Sequence, residues 1–80
     1  MRITVACFGV LRERVPGAAD GPVALDVADH ATVGQVADLL SVPRHLATMV
    51  LIDGRQAGFE DVVPEGSEVT LMPPFAGGAN

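Results

Sequence analysis

The residues with the strongest chemical signal lie close to the end of the sequence. Pro73-Pro74 are followed by Gly77-Gly78, so the chain is first stiff and then free of side-chain bulk. Proline limits backbone freedom before binding, and glycine adopts conformations that other residues avoid. This pattern predicts a thin peptide that threads into another protein, with the main-chain carboxylate of Gly78 as the working group. Ala79-Asn80 are an obstacle, because they hold the Gly78 carboxyl group in a peptide bond.

The other residues that could do chemistry are isolated from one another. Cys7 is the one cysteine, and a small buried thiol is the favoured interpretation, since free cysteine is among the most buried residues. His30 and His45 are far apart and have no other His or Cys nearby, so a metal site is not expected. The adjacent pair Glu60-Asp61 indicates a solvated acidic surface. We find no nucleophile–base pair or phosphate loop, so a free-standing enzyme is the least favoured class.

Composition sets further limits on function. Eighty residues form one small domain, and the net charge of −5 disfavours nucleic-acid binding, which needs a basic patch. An acidic surface suits a basic protein partner. The apolar runs are much shorter than the roughly 20 residues of a membrane-spanning helix, and no signal peptide is evident. We therefore expect a cytoplasmic protein that binds neither membrane nor nucleic acid.

The hydrophobic pattern predicts one main helix among several strands. Thr32 and Gln35 have the spacing of a capping box, and apolar residues follow at helical spacing until about Ser41. Asp53-Gly54 is a strong hairpin signal. Short helical turns are expected near 10–14 and 44–47. The predicted strands cover residues 2–8, 23–27, 48–52, 55–57 and 68–72, of which 48–52 has the most central pattern.

This order predicts an α+β fold, with a mixed sheet of four to five strands and one main helix packed on one face. The folded domain covers residues 1–74, and residues 75–80 form an extended tail that contains the Gly-Gly pair. Phe8 falls on the face of the first strand opposite to its apolar residues. It is either covered by the fold or part of a docking surface.

Several segments together carry a resemblance that covers almost the whole chain. Ile3 to Phe8 is followed by Leu11-Arg12-Glu13, and Met72-Pro-Pro-Phe-Ala-Gly-Gly78 directly follows the last strand. With Ile52 to Gln56 and Val63 to Val69, these segments resemble the β-grasp, ubiquitin-like sulfur carriers. That family includes the small subunit of molybdopterin synthase and the thiamin-biosynthesis sulfur carrier.

The resemblance implies a carrier protein that is not itself an enzyme and binds no cofactor. An adenylyltransferase similar to ubiquitin-activating enzyme would use ATP and Mg²⁺ to adenylate the terminal glycine, which then becomes a thiocarboxylate. A second enzyme, such as the large subunit of molybdopterin synthase, would accept the sulfur. Carriers for cysteine, thiamin or another thio-metabolite remain alternatives, as does a non-carrier ubiquitin-like interaction module.

The resemblance also assigns roles to residues around the tail. Gly78 would carry the acyl adenylate and thiocarboxylate, and Gly77 and Ala76 would thread into the activating site. A processing protease would cut between Gly78 and Ala79 and remove Ala79-Asn80. The residues expected to bind partners are Phe8, Met72, Pro73, Pro74 and Phe75.

Overall fold

A computed structural model describes residues 1–74 of the chain. It confirms the predicted order of strand, strand, helix, strand, short strand and strand. Short helical turns lie at Leu11–Arg14 and Arg44–Leu46, where the sequence predicts them, and a further 3₁₀ turn at Ala18–Asp20 was not predicted. Among the described residues, no helix has the length and apolar character needed to cross a membrane. The elements are β1 (Arg2–Cys7), α1 (Leu11–Arg14), β2 (Val23–Asp26), α2 (Val33–Leu39), β3 (Met49–Ile52), β4 (Arg55–Ala57) and β5 (Glu68–Met72).

The five strands form one mixed sheet in the order β2-β1-β5-β3-β4. β1 and β5 are parallel, and every other neighbouring pair is antiparallel. The prediction that β3 is the most central strand is wrong, because β5 holds that place. The apolar run of β3 was misleading, since Met49 and Leu51 belong to the face of the sheet opposite to α2, and only Val50 is buried.

Helix α2 begins with the predicted capping box. The Gln35 backbone N–H donates to Thr32 Oγ1 at 3.2 Å, and the Thr32 N–H donates to Gln35 Oε1 at 2.9 Å. These two bonds satisfy donors that a helix start leaves open. Val33, Val36 and Ala37 are buried in the core. The helix is therefore held both at its start and along its apolar face.

Gly34 is in the first turn of α2, where glycine is a poor helix former. A Cβ atom at Gly34 would lie 2.6 Å from Arg44 Nη2. This atom is the far end of a long, exposed side chain that can move aside, so the contact does not by itself require glycine. Arg44 also pairs with Asp38 at 3.1 Å and lies over the Phe59 ring, 5.4 Å from its centroid.

The turn at Asp53-Gly54 joins β3 and β4 as predicted, with both residues at positive φ (51° and 85°). The Glu68 N–H donates to Asp53 Oδ1 at 2.9 Å. This bond confirms the turn role of Asp53 and ties the β3–β4 hairpin to the first residue of β5.

The sheet has a closed face and an open face. On the closed face, inward residues of β1 and β5 join those of α2 in one core cluster. On the open face, opposite to α2, the alternate residues Ala6, Thr70 and Met72 of the same strands are half-buried. The largest fully buried side chains of the core are Ile3, Leu11, Leu71, Val5, Val15, Val33, Val36, Val63 and Val69.

Candidate functional site

The parallel pairing of β1 and β5 determines where the candidate site lies. Cys7 is in register with Leu71, and the Phe8 N–H donates to the Leu71 carbonyl at 3.1 Å. Because parallel strands end at the same edge of a sheet, Phe8 lies next to Met72 and Pro73, where the chain leaves β5. The structure thus brings Phe8 to Met72 and Pro73, two other predicted partner-binding residues that are distant from it in sequence.

Phe8, Met49, Leu51, Met72 and Pro73 form an apolar area at this end of the open face, here called the open-face patch. Phe8 is 49% exposed and Met49 is 43% exposed, and the other three residues are half-buried. Met49 is paired in register with Met72. Aromatic residues and Met are enriched in protein–protein interfaces. Residues 1–74 leave Phe8 half exposed, so they do not cover it, and its role in docking stays a prediction.

A surface cleft of about 400 Å³ opens within this area, beside the point where the chain leaves the sheet. Its walls are predominantly apolar, and Pro74 is exposed at its margin. Such a cleft can accept an apolar side chain of a partner. The lining residues are Phe8, Gly9, Thr48, Met49, Met72, Pro73 and Pro74.

The other end of the open face has a different character. Arg2 and Asp26 form a two-point ion pair across β1 and β2, with Nε–Oδ1 at 3.0 Å and Nη2–Oδ2 at 3.2 Å. Both side chains are well exposed, so the pair contributes little to stability. The apolar residues of the open face are therefore concentrated at the end from which the tail departs.

Sequence reasoning missed Met49, Leu51 and Gly9. Residues 49–52 are all apolar, so the sequence does not show that Val50 is buried while its two neighbours point away from the core. Gly9 gave no signal, because its role depends on a contact with Pro73, which is distant in sequence. Phe75, Ala76, Gly77, Gly78 and Ala79, which the sequence assigned to docking, threading, sulfur transfer and cleavage, lie outside the described residues.

The remaining chemical candidates are placed as follows. Cys7 is buried, and burial raises the pKa of its thiol, so the interpretation as a small buried thiol is confirmed. A protonated thiol is a weak nucleophile. His30 and His45 are exposed, and Asp61 accepts a bond from the Gly58 N–H at 2.7 Å within a turn. Within residues 1–74, the His, Cys, Asp and Glu side chains form no group of three that could hold a metal ion.

A model of the Mut7-C ubiquitin family matches residues 1–77. The chain belongs to this family. The match includes the whole described domain, the Pro73-Pro74 pair and Gly77. No curated protein sequence matches the chain.

Solved structures place this Mut7-C ubiquitin protein among small ubiquitin-like proteins. Small archaeal modifier protein 1 of Haloferax volcanii is 26% identical, with 91% of this chain and 97% of that chain covered and a TM-score of 0.71. The Haloferax volcanii HVO 2177 protein is also 26% identical, over 96% of this chain and 86% of that chain, with a TM-score of 0.78.

A Pyrococcus furiosus protein described as subunit 1 of a molybdopterin converting factor has a TM-score of 0.69. It is 14% identical, over 92% of this chain and 98% of that chain, and so it shows the fold alone. Together these likenesses confirm the predicted ubiquitin-like β-grasp fold. With the family match, they also confirm the resemblance to small ubiquitin-like proteins.

Proposed function

We propose that this protein is a sulfur carrier whose reactive group is the carboxylate of Gly78. The observation that carries the proposal is the open-face patch, which surrounds the point where Pro73-Pro74 lead into the Gly-Gly segment. A partner that binds this patch is well placed to receive the tail in its own active site. The carrier then supplies recognition and an acyl group, and the partner supplies the catalytic residues.

The chemistry needs an activation step, because a carboxylate is a poor electrophile. The Gly78 carboxylate attacks the α-phosphorus of ATP, and the bond to pyrophosphate breaks. Hydrosulfide then attacks the acyl carbon of the adenylate, AMP leaves, and a thiocarboxylate remains. ATP and Mg²⁺ belong to an adenylyltransferase similar to ubiquitin-activating enzyme, so the reaction takes place in the cytoplasm, where ATP is available.

The tail's composition suits this partner chemistry. Gly77 and Gly78, with the small Ala76, let the backbone pass through a narrow entry. Pro73 and Pro74 limit the conformations of the free chain, which lowers the entropy lost on docking. Phe75 adds an apolar side chain to the terminal segment as a further contact for the partner.

The acceptor of the sulfur is, in this proposal, a synthase of the molybdopterin type. Two sequence features favour it over the thiamin carriers, namely Phe75 and the Met-Pro-Pro start of the terminal segment. The likeness to a protein described as a molybdopterin converting factor subunit shows the shared fold. Synthesis of cysteine or of another thio-metabolite is the alternative, and comparison of sulfur acceptors in one assay separates these cases.

A second candidate function is that of a protein modifier or ubiquitin-like interaction module, favoured by the 26% identity to small archaeal modifier protein 1. As a modifier, the same acyl adenylate would pass the Gly78 carboxyl group to a lysine amine. All five cationic side chains of this sequence are Arg, so it offers no lysine of its own. A conjugate would therefore form on a different protein and would not extend into lysine-linked chains of this one.

The deciding experiment uses the chain shortened to end at Gly78, an adenylyltransferase and labelled pyrophosphate. We expect ATP–pyrophosphate exchange that Gly78→Ala abolishes, and formation of a thiocarboxylate when a sulfide donor is added. Intact mass measures the replacement of one oxygen by sulfur. Exchange followed by transfer to lysine, with no thioacid, would favour the modifier function. Absence of any exchange would contradict both carrier and modifier, and leave the interaction module.

Removal of the residues after Gly78 is a separate requirement of the proposal. A processing protease must hydrolyse the Gly78–Ala79 bond, because that carboxyl group is otherwise part of a peptide bond. Mass spectrometry of the protein from its native host should find a form that ends at Gly78. If Ala79-Asn80 are retained in every molecule, Gly78 cannot be adenylated and the carrier function is excluded.

A further inference from the structure

Gly9 makes the tightest backbone contact at the point where the chain leaves the sheet. A Cβ atom added to Gly9 would lie 2.7 Å from Cγ and 3.5 Å from Cδ of Pro73. Separations under about 3 Å force a neighbour to move. The α-carbon of Gly9 therefore lies directly against the Pro73 ring, and only glycine leaves room for it.

The backbone conformation at residue 9 also favours glycine. Its φ is 58°, in the left-handed region, and it lies where the chain turns from β1 into α1. The Leu11 N–H donates to the Phe8 carbonyl at 3.2 Å, and the Arg12 N–H donates to the Gly9 carbonyl at 3.1 Å. These bonds and the β1–β5 pairing fix the position of Gly9 relative to β5.

The other glycines with positive φ show whether a left-handed turn by itself produces a close contact like the one between Gly9 and Pro73. Gly54 and Gly66 have φ values of 85° and 78°, and a Cβ atom at either would meet nothing within 4 Å. At Gly17 the nearest atom would be 3.7 Å away. Among the left-handed glycines of residues 1–74, Gly9 alone combines the strained φ with a contact under 3 Å. A turn requirement by itself does not produce that contact.

We propose that Gly9 is a positioning residue that sets the direction in which residues after Pro73 leave the sheet, an inference that rests on the proposed carrier function. Two ring atoms of Pro73, N and Cα, are main-chain atoms, so a group that displaces the whole ring also redirects the backbone that follows it. Gly9 fixes the ring on the β1 side. The Gly78 carboxylate, five residues beyond Pro73, inherits that direction when a partner binds the open-face patch.

The test compares Gly9→Ala with Gly66→Ala, both made in the chain that ends at Gly78. Both substitutions place a side chain at a left-handed φ, but only Gly9→Ala meets Pro73. In the exchange assay we expect kcat/KM to fall on the order of tenfold or more for Gly9→Ala, because small misplacements of a reacting group are costly. Gly66→Ala, with folding verified by circular dichroism, should change it by about twofold at most.

A second readout does not need the activating partner. NMR of the wild-type chain should show a nuclear Overhauser effect between the Gly9 α-protons and the Pro73 ring. Gly9→Ala should shift the amide resonances of Ala76, Gly77 and Gly78, and Gly66→Ala should leave them in place. A merely structural role of Gly9 would lower stability without moving the tail resonances.

The outcomes distinguish this inference from the proposed function. If the wild-type chain gives no exchange, the carrier proposal fails and NMR still judges Gly9. If the wild type is active and Gly9→Ala behaves as Gly66→Ala does, the positioning role is wrong. Should Gly9→Ala fail to fold, the double variant Gly9→Ala/Pro73→Ala, which lacks the proline Cγ, should recover folding. If it remains as unfolded as Gly9→Ala, the contact with Pro73 is not the cause and the inference is overturned.

Discussion

The two faces of the sheet are built from the same strands with opposite results. On the closed face, Val69 and Leu71 of β5 are fully buried in an aliphatic core. On the open face, the alternate residues Thr70 and Met72 are half-buried, and Phe8 and Met49 nearby are among the most exposed large apolar side chains of the described chain. Burial of apolar surface stabilises the closed face, whereas the exposed apolar surface of the open face stabilises nothing in the free protein.

This difference indicates separate purposes for the two faces. A small domain has little stability to spare, and large exposed apolar groups lower solubility. The exposed Phe8 and Met49 lie where the chain leaves β5, with the Arg2–Asp26 pair at the far end of the same face, and this arrangement supports the proposed binding of a partner there. Substitutions on one face should therefore alter stability, and those on the other should alter binding.

The largest expected effect comes from neighbours on β5 that point to opposite faces. Leu71→Ala should lower the free energy of unfolding by about 2–5 kcal/mol, because Leu71 is 0% exposed and its loss leaves a cavity. Met72→Ala, one residue further on the open face, should cost roughly 1 kcal/mol or less, since its side chain is only half-buried. Urea denaturation monitored by circular dichroism measures both. Equal losses would show that the faces are not distinct.

The reverse effect is expected for the open-face patch. Phe8→Ala should weaken binding of the adenylyltransferase by about 2 kcal/mol, roughly 30-fold, if Phe8 is an anchor of the interface. Its effect on stability should stay within about 0.5 kcal/mol, because the ring is half exposed in the free protein. Isothermal titration calorimetry gives the affinity.

The matched control for Phe8 is Leu39, which is 61% exposed on helix α2, on the other side of the sheet. Leu39→Ala removes an exposed apolar side chain of similar kind and should leave affinity unchanged. Equal weakening by the two substitutions would indicate general loss of apolar surface. If Leu39→Ala alone weakened binding, the docking face would be on the helix side.

The sequence predicted the elements well because each depends on local signals. The capping box of Thr32 and Gln35, the Asp53-Gly54 turn and the alternation in β1 and β5 are all readable within a few residues. The central position of β5 was not readable, since strand order depends on pairing between distant segments. An apolar run such as that of β3 shows that both of its faces are apolar, but not that both are buried.

The site was predictable only in part for the same reason. Phe8, Met72 and Pro73 stood out by residue type and by resemblance, whereas Met49 and Leu51 were hidden within a strand that read as core. Gly9 is significant only through its distance to Pro73, which no local pattern encodes. Functional residues that stand out by type or by a short motif can therefore be predicted from the sequence, whereas contacts between distant strands cannot.

A smaller effect on stability is expected at Thr32, at the start of helix α2, which packs on the closed face. Thr32→Ala removes the acceptor for the Gln35 N–H and should lower the free energy of unfolding by about 1 kcal/mol. Thr32→Ser keeps a hydroxyl group in place and should retain most of the stability. Thermal or urea denaturation measures the difference. Neither substitution should change affinity for a partner at the open-face patch, and a loss of affinity would show that the faces are coupled.

The smallest effect on stability at neutral pH is expected for Cys7, and its pH dependence tests whether the closed face excludes water. Burial raises the pKa of its thiol, so the unfolded chain ionises first as the pH rises. The stability that Cys7 contributes is fully present below the ordinary thiol pKa and is lost as the pH rises through the raised value. Subtracting the unfolding free energy of Cys7→Ala from that of the wild type at each pH isolates this contribution from other titrating groups. The difference should be constant at neutral pH and decline in alkaline solution.

A difference that stays level across the alkaline range would show that the thiol has the same pKa in the folded and unfolded chains. The β1 residue next to Phe8 would then be solvated, and the two faces of the sheet would not be separated at the end where the tail departs.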